Sequence, residues 1–394
     1  MYRRNNRGSG FANILKSLTA SRSNRRGKRV GTLAVESLEQ RLVLSAQYVQ
    51  NHVLVGVDAG FLKVQEPAVR LDALVPGSKS RPLGDYGVFL MKLPNNVSVP
   101  SAIDMLKGKS GIRYAEPDWI GSWAATPNDP DYTRMWGMRN TGQTVNGTSG
   151  RFDADIDANF AWDQTTGSRS VLVAIVDSGT DYTHPDLAAN IYVNAGEIAG
   201  NGIDDDSNGY VDDVNGYDFA DGDADPMDFV GHGTHVTGTV GAVGDNGVGT
   251  MGVNWNVSIL PCKIGNDFGG PIASAAIEAI NYAVTMGATV SNHSYGINPT
   301  QAFEDAIINA QANNHLLVVA AGNSSSNNDI LPAYPASYPE DNIIAVAATD
   351  QNDDLAWFSS YGVTSVDIGA PGVNIWSTTP QAGSLFYNPN YDFS

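Results

Sequence analysis

A histidine between two glycines is the side chain of this sequence best suited to acid–base chemistry. His232 lies in the stretch Gly231-His232-Gly233-Thr234-His235, and the small residues that follow predict a helix that begins at the histidine. An imidazole titrates near neutral pH, so it can take a proton from a nucleophile and pass it to a leaving group. The stretch therefore predicts His232 as a general base.

Two polar residues stand where they could assist this base. Asp177 follows the apolar run 171–176, and Asn323 follows the apolar run 316–321. A carboxylate can hold the tautomer of a histidine, and a side-chain amide can donate a hydrogen bond to a developing oxyanion. Each feature has an ordinary alternative: Asp177 could cap a helix, Asn323 could form a turn, and Gly-His-Gly could be a structural or metal-binding turn. Their joint order and contexts favour catalysis.

The segments around these residues alternate between strands and helices. Strands are predicted at 171–176, 259–264, 289–291 and 316–321, and helices at 272–286 and 303–312. Near-continuous apolar strands separated by helices are typical of an α/β fold with a parallel sheet covered on both faces. Ligands of such sheets bind at the carboxyl ends of the strands, where Asp177 and Asn323 both stand.

The sequence divides into four predicted segments. Residues 1–46 are a basic leader that contains Leu38-Glu39-Gln40-Arg41. This short stretch resembles the "LEPR"-type motif of some bacterial surface and secreted proteins, which implies export; a disordered basic tail is the alternative. Residues 47–120 form a small α+β unit, with strands at 48–57, 88–93 and 111–120 and a helix at 101–107 that Ser101 caps. Residues 121–157 are a linker and an N-terminal arm. Residues 158–394 are the main domain.

The charge distribution restricts the partners. The 394 residues carry a net charge of −19, and Lys263 is the only basic residue from position 170 onward. Nucleic acid binding needs a basic footprint, so nucleic acid is excluded as a partner of the main domain. The absence of an 18-residue apolar run predicts no transmembrane segment. Cys262 is the only cysteine, so it has no internal disulfide partner, and it is predicted to be a buried structural thiol.

An acidic insert between residues 187 and 232 predicts a structural cation site. Oxygen ligands recur at alternating positions in a first run (Asp204, Asp206, Asn208, Asp212) and in a second run (Asp221, Asp223, Asp225, Asp228). The first run resembles the start of an EF-hand loop, but Asn215 occupies the position of the final bidentate Glu. Crowded oxygens without nearby sulfur or imidazole favour Ca²⁺ over Zn²⁺. The alternative is a solvated acidic loop.

Residues 126–394 resemble a subtilisin-like serine peptidase (subtilase). The resemblance rests on motifs of high specificity along most of this region. They are Val-Asp177-Ser-Gly, His184-Pro185-Asp186-Leu187, His232-Gly-Thr-His-Val-Thr-Gly, Ser294-Tyr295-Gly296, Ala-Ala-Gly-Asn323, Phe358-Ser359-Ser360-Tyr361-Gly362 and Ala370-Pro371-Gly372. Residues 47–120 resemble the inhibitory propeptide of the same family.

The resemblance implies a three-layer subtilisin-like fold and a role for each motif. Asp177 would orient His232, and Asn323 would complete an oxyanion hole. Residues 294–296 (Ser294, Tyr295, Gly296) and residues 266–270 would pair with the backbone of an extended peptide or protein substrate. Residues 320–322 (Ala320, Ala321, Gly322) would line the first specificity pocket. The resemblance further implies a propeptide that inhibits its own enzyme, bound calcium, and a secreted or cell-surface location in a bacterium.

Three other histidines receive simpler predictions. His184 and His235 are expected to be structural. His293 lies in the predicted substrate strand and is expected to contact solvent or substrate.

The nucleophile is the one part of the family pattern that these residues do not contain. Subtilases carry it in Gly-Thr-Ser-Met-Ala, and residues 391–394 resemble the lead-in to that motif. The expectation is a truncated serine endopeptidase zymogen whose Ser lies beyond residue 394, and whose 394 residues alone do not hydrolyse peptides. The alternative is a non-catalytic calcium-binding surface module that reuses the fold.

Overall fold

A computed structural model describes residues 48–63, 66–119, 126–266, 269–384 and 386–394. Its described residues fall into two compact units, residues 48–119 and residues 126–394, called here the N-terminal and C-terminal units. The predicted leader and the predicted boundary at residue 120 lie outside the described residues. The division into four segments stays a prediction.

The N-terminal unit is a four-stranded antiparallel sheet with three short helices. Its elements are β1 (Tyr48–Val57), α1 (Ala59–Leu62), α2 (Pro67–Asp72), β2 (Lys79–Pro82), β3 (Val88–Lys92), α3 (Val99–Leu106) and β4 (Ile112–Trp119). The strand order is β2-β3-β1-β4. Alternate residues of β1 and β3 enter a core with Phe61, Leu71 and Leu106, as the period of a half-buried strand requires.

Helix α3 begins earlier than the sequence predicts. The predicted cap was Ser101, but Ser98 is the N-cap, and its hydroxyl accepts a hydrogen bond from the backbone N–H of Ser101. Pro100 then falls in the first turn of the helix, where a missing N–H breaks no helical hydrogen bond. The prediction placed the proline outside the helix, and that was wrong.

The C-terminal unit carries the remaining elements. In chain order they are β5 (Thr144–Val145), β6 (Thr148–Ser149), α4 (Ala158–Trp162), β7 (Gly167–Asp177), β8 (Tyr217–Asp218), α5 (His232–Gly241), β9 (Asn256–Lys263), α6 (Ala273–Thr285), β10 (Val290–His293), α7 (Gln301–Ala312), β11 (Leu316–Ala320), β12 (Ile343–Thr349), β13 (Ile368–Pro371), β14 (Trp376–Thr379) and β15 (Asn390–Phe393). The helices and strands predicted in this unit are present, with ends that differ by a few residues. None of the helices in the described ranges has the length and apolar character needed to cross a membrane.

Seven of these strands form one parallel sheet with the order β13-β12-β11-β10-β7-β9-β8. Residues of β7 alternate between two cores, because successive side chains of a strand point to opposite faces. Ala174 and Val176 pack with α6 and α7 on one face. Ile175 packs on the other face, with apolar residues of α5. The three-layer α/β fold is confirmed.

Cys262 shows how completely the inner strands of the sheet are buried, which is why their sequences are apolar throughout. It lies on β9 between β7 and β8 and is fully buried. Burial raises the pKa of its thiol well above the ordinary range, so the thiol stays protonated. The prediction of a buried structural cysteine is confirmed.

Candidate active site

Asp177 and His232 meet at the carboxyl end of β7. Asp177 is the last residue of this central strand, and His232 is the first residue of α5. Nδ1 of His232 lies 2.7 Å from Oδ1 of Asp177. The backbone N–H of Ser178 donates to the same carboxylate oxygen at 2.7 Å, while the other oxygen is buried and has no hydrogen-bond partner among the described residues. These two hydrogen bonds fix the Asp177 carboxylate, which in turn holds the His232 imidazole in one orientation.

Two glycines allow the helix to begin this close to the strand. Gly231 has φ 102°, in the left-handed region that side-chain-bearing residues avoid. A Cβ at Gly233 would collide with the carbonyl oxygen of Gly179. Both glycines of the Gly-His-Gly stretch thus have a steric reason for their identity.

The carboxylate also sets the charge of the imidazole. Attraction by Asp177 is the largest cause that raises the pKa of His232 to about 9, and partial burial opposes it. The His232 side chain is 42% exposed, against 4% for Asp177. Water therefore reaches the imidazole and screens part of the attraction, so the pKa of His232 lies above its ordinary value of 6.5 by less than an unscreened carboxylate would cause.

Asp228 holds the start of α5 in place. Its Oδ1 accepts hydrogen bonds from the Ser178 hydroxyl and from the backbone N–H groups of Val230 and Gly231. Its Oδ2 accepts from the backbone and the hydroxyl of Thr234. Burial raises the pKa of this carboxyl, and these hydrogen bonds oppose the rise. Asp228 therefore supports the helix that carries His232, a role different from the cation ligand that the sequence suggested.

Ser178 connects the end of β7 with the start of α5. Its hydroxyl donates to Asp228 and accepts a hydrogen bond of 2.9 Å from the backbone N–H of Gly233. The residue after Asp177 is thus bonded to the residue after His232. Sequence reasoning treated Ser178 only as part of a motif and missed this bridge.

Two cavities lie along the carboxyl ends of the sheet. One, of about 260 Å³, contains Asp177, His232, Tyr295 and Gly296 among its lining residues. The other, of about 560 Å³, is lined in part by Ala320, Asn323 and the last residues of the sequence. Ser294 lines both cavities, which makes them neighbours. Ala321 and Gly322 line neither of them, and Ala321 is buried.

The structure gathers the first acidic run around residues that the sequence reasoning omitted. Carboxylate oxygens of Glu197, Asp206 and Asp213 lie within 4.8 Å of one another, and no other group of three or more acids, histidines or cysteines in the described part of the chain is as compact. Asp213 is fully buried, and its Oδ2 accepts a hydrogen bond of 2.6 Å from Tyr282 of α6. The signal in the sequence was Glu197 at the head of the insert and the Asp212-Asp213 pair at its end.

The other residues predicted in the first run shape its loop. Asp204 accepts hydrogen bonds from the backbone N–H groups of Asn208 and Gly209. Asp212 accepts from the N–H groups of residues 201 and 202. The Asn208 amide donates to Asp206 and Asp213, which brings it to the edge of the carboxylate cluster.

The second acidic run has different partners. Lys263 bonds Asp218 in the interior and lies 3.6 Å from Asp221. Asp223 accepts from the N–H of Asp225, which in turn accepts from the hydroxyl of Tyr182. The single lysine of this region thus neutralises part of a run that the sequence suggested would need a cation.

Two further buried carboxylates lie outside both runs. Asp129 is 4% exposed, and within the described part of the chain its buried Oδ1 has no hydrogen-bond partner. Asp186 is fully buried, and its pKa is raised to about 6. Burial is the largest cause of this rise, and the negative charge of Asp129 adds to it. Sequence reasoning assigned Asp186 only to a family motif and Asp129 to the linker, because neither lies in an acidic run.

Comparison with known proteins places the chain in a family. The Subtilase family model matches residues 168–393, and the fervidolysin N-terminal prodomain model matches residues 38–118. A thermophilic serine proteinase of Bacillus sp. strain AK1 is 37% identical over 71% of this chain and 60% of its own length. Thermitase of Thermoactinomyces vulgaris is 35% identical over 65% of this chain and 76% of its own length. Halolysin of Haloferax mediterranei is 32% identical over 72% of this chain and 48% of its own length.

A solved structure agrees with these relatives. A protease structure from Pseudoalteromonas arctica is similar with a TM-score of 0.52 and 27% identity, over 68% of this chain and 82% of that one. The chain spans only 60% of the first relative, so the relatives' whole-protein activities do not transfer directly. The family model covers more than half of the sequence, and its domain carries the Asp177–His232 pair. The chain therefore belongs to the subtilase family and has a prodomain of the fervidolysin type ahead of its peptidase domain.

Proposed function

We propose that the protein is a subtilisin-like serine endopeptidase made as a zymogen. The observation that carries the proposal is the 2.7 Å hydrogen bond between a buried Asp177 and a water-accessible His232. A carboxylate that holds one imidazole nitrogen and leaves the other free is the arrangement a serine nucleophile needs. Family membership supports serine peptidase chemistry at this position.

The chemistry would use the free nitrogen of His232. Because Nδ1 bonds Asp177, Nε2 accepts the proton of the nucleophile as the hydroxyl oxygen attacks the peptide carbonyl carbon. Asp177 stabilises the imidazolium that results. The Asn323 amide donates to the oxyanion, and His232 then returns the proton to the leaving amine. The C–N bond breaks as the amine leaves, and the acyl group stays on the serine oxygen. Water then attacks the acyl carbon while His232 takes its proton, and the serine oxygen leaves with that proton as the acid product is released.

We place the nucleophilic Ser beyond residue 394. Residues 1–394 contain no Gly-Thr-Ser-Met-Ala, and Ser394 and Asn323 both line the cavity of about 560 Å³. A segment that continues from Ser394 could therefore bring its hydroxyl between Asn323 and His232. The 394 residues alone are then expected not to hydrolyse peptides.

Substrate would bind as an added strand beside residues 294–296. Ser294 lines both cavities, and Tyr295 and Gly296 line the one that holds His232. Gly265 and Gly269 also line this cavity, and their lack of side chains leaves room for a second backbone contact. The exposed Ala320 would contribute to the first specificity pocket. The proposed ligand is an extended peptide.

The N-terminal unit would be the inhibitor of this site. Its match to a subtilase prodomain and its own buried core support a folded propeptide that is cleaved off at maturation. We place the cleavage between residues 118 and 131, and we propose export to the medium or the cell surface of a bacterium. The N-terminal sequence of the mature protein, read by mass spectrometry, tests both.

Calcium is the cofactor that we propose for the acidic insert. Glu197, Asp206 and Asp213 offer crowded carboxylate oxygens, the donor set that Ca²⁺ prefers, and Asp204, Asn208 and Asp212 lie in the same loop. Asp129 and Asp186 form a second place that fits, since one carboxylate oxygen there is buried and unpaired. Bound calcium would neutralise these charges and stiffen the loops. Asp221, Asp223 and Asp225 stay a weaker proposal because of Lys263.

Calcium removal tests the cofactor proposal. A ligand that binds only the folded state at 100 times its Kd stabilises that state by about 2.7 kcal/mol, so chelation should lower the thermal midpoint by several degrees. Asp206→Asn and Asp129→Asn should each abolish part of the shift, while Asp305→Asn on the exposed face of α7 should leave it intact. An unchanged midpoint after chelation would remove the proposal.

Peptide hydrolysis tests the proposed activity. The full-length mature protein should cleave a tetrapeptide p-nitroanilide, and His232→Ala should abolish the cleavage. The alternative, a non-catalytic calcium-binding module, predicts no cleavage by either. The DNA downstream of codon 394 separates the two in advance, since Gly-Thr-Ser-Met-Ala in frame favours the peptidase and an authentic stop codon favours the module.

A further inference from the structure

A row of polar side chains runs along β10 into the substrate cleft. Ser291 and His293 lie on one face of the strand, because side chains two residues apart share a face. Tyr295 continues the row past the strand end, and His315 joins it from the residue before β11. Ser291, His293 and His315 are at most 1% exposed. Tyr295 is partly buried and lines the cleft beside Asp177.

Hydrogen bonds join these groups into one chain. At the inner end, Nδ1 of His315 lies 2.7 Å from the carbonyl oxygen of Ala288. Nε2 of His315 lies 2.7 Å from the Ser291 hydroxyl. Nε2 of His293 lies 2.6 Å from the same hydroxyl, and its Nδ1 lies 2.8 Å from the hydroxyl of Tyr295. Every link has an ordinary hydrogen-bond length.

The carbonyl at the inner end fixes the direction of every link. A carbonyl only accepts, so His315 carries its proton on Nδ1, and its Nε2 accepts from the Ser291 hydroxyl. The Ser291 oxygen then accepts from Nε2–H of His293. Nδ1 of His293 is left to accept from the hydroxyl of Tyr295. One arrangement of protons satisfies the whole chain when both imidazoles are neutral.

Burial keeps both imidazoles neutral. Desolvation lowers the pKa of His315, and desolvation together with the neighbouring His315 lowers the pKa of His293 to about 3. Their hydrogen-bond partners are a carbonyl and hydroxyl groups, with no carboxylate among the bonds given above. A charged imidazole would break the proton order, because it donates from both nitrogens.

We propose that this hydrogen-bonded chain fixes the Tyr295 ring as a rigid wall of the substrate cleft, with His293 as its positioning residue. We call it the β10 relay, and its members are Ala288, Ser291, His293, Tyr295 and His315. The Tyr295 hydroxyl is committed as a donor to the interior, so the wall offers a peptide an apolar ring and no phenolic donor. The inference rests on the proposed function, since the wall matters through the peptide it contacts.

Histidine tautomers test the relay without any need for activity. The sequence has six histidines, so ¹⁵N-labelled imidazole signals can be assigned by single substitutions. At pH 7 the full chain should show the Nε2–H tautomer for His293 and the Nδ1–H tautomer for His315. The opposite tautomer at either residue, or a doubly protonated ring, would overturn the relay even if the protein is an active peptidase.

Kinetics of the full-length protease test the positioning role. Tyr295→Phe and His293→Leu should each raise KM by roughly three- to tenfold, the size of one lost neutral hydrogen bond, with kcat changed less than twofold. Their effects should not add in the double variant, because both break the same link. His293→Gln keeps a donor and an acceptor, so its KM should stay close to the wild-type value.

A matched control removes a different phenol hydroxyl. The hydroxyl of Tyr338 donates to the carbonyl oxygen of Thr300, away from the residues that line the cleft. Tyr338→Phe should lower the thermal midpoint without a change in KM. If His293→Leu also lowers only the midpoint, His293 is merely structural and the positioning role is overturned. If no variant or wild type cleaves peptides, the proposed function fails, and the tautomers still decide whether the relay exists.

Discussion

Two regions of the C-terminal unit hold histidines in opposite electrostatic surroundings. At the end of β7, His232 bonds the Asp177 carboxylate, is 42% exposed, and has a pKa raised to about 9. Within β10, His293 bonds two hydroxyl groups, is fully buried, and has a pKa lowered to about 3. The carboxylate stabilises the protonated form of the first imidazole, whereas hydroxyl partners and burial keep the second imidazole neutral.

The largest way to break this difference is to remove the carboxylate. Asp177→Asn in the full-length protein should lower kcat by about 10⁴-fold, the size of loss expected when the aspartate of such a triad becomes an amide, because the imidazole loses its orientation and its counter-charge. Peptide p-nitroanilide hydrolysis measures it. Asp305→Asn, on the exposed face of α7, is the matched control and should keep full activity. More than a tenth of the activity in Asp177→Asn would contradict the role of the pair.

The next largest effect is expected from the loss of Asp228, which supports the region around His232. Asp228→Ala removes the acceptor of five hydrogen bonds at the start of α5 and should lower the free energy of unfolding by about 3 kcal/mol. Urea unfolding measures the loss, with Asp305→Ala as the control. Because α5 carries His232, kcat should fall as well, even below the denaturation midpoint. A stable variant with normal kcat would show that Asp228 does not support the cleft.

A smaller effect is expected at the far end of the β10 relay. His315→Leu breaks the bonds to Ala288 and Ser291 and should cost about 2 kcal/mol of unfolding free energy. Its KM should rise less than that of His293→Leu, since His315 lies two links from Tyr295. Denaturation and steady-state kinetics on the same preparation separate the two quantities. A KM increase larger than that of His293→Leu would mean that the relay does not act through neighbouring links.

The smallest effect is the pH dependence of stability. His232 has a folded pKa above its unfolded value of 6.5, so its contribution is full below pH 6.5 and is lost as pH rises toward 9. His293 has a folded pKa below that value, so its contribution is full above pH 6.5 and is lost as pH falls. The thermal midpoint should fall by a few degrees between pH 7 and 10, and His232→Ala should remove that slope. An unchanged slope would place the responsible group elsewhere.

The fold could be predicted from the sequence because the buried strands are recognisable as short apolar runs. Runs such as 171–176 and 316–321 are apolar throughout, as strands covered on both faces must be. The misplaced start of α3 shows the limit, since two serines and a proline within four residues allow more than one cap. The hydrogen bond from the Ser101 N–H to the Ser98 hydroxyl identifies Ser98 as the cap, and the amino-acid sequence does not show this bond.

The site residues could be predicted where the residue type and the local sequence context both indicate a chemical role. Asp177 and His232 were named from strand ends and glycines. Glu197 and Asp213 were missed, because their carboxylates come together only when the loop folds. The supporting role of Asp228 was missed as well, because its partners come together only at the folded start of α5. His293 was expected to contact solvent or substrate, and that was wrong: its side chain is fully buried and hydrogen-bonds to Ser291 and Tyr295.

The most direct test of the account labels the nucleophile itself. A fluorophosphonate reacts with a serine hydroxyl that a neighbouring base activates, and mass spectrometry of the digested full-length protein locates the adduct. The account predicts one labelled serine beyond residue 394, with labelling slowed by about 10⁴-fold in His232→Ala. A label on a serine within residues 1–394, or equal labelling without His232, would contradict it.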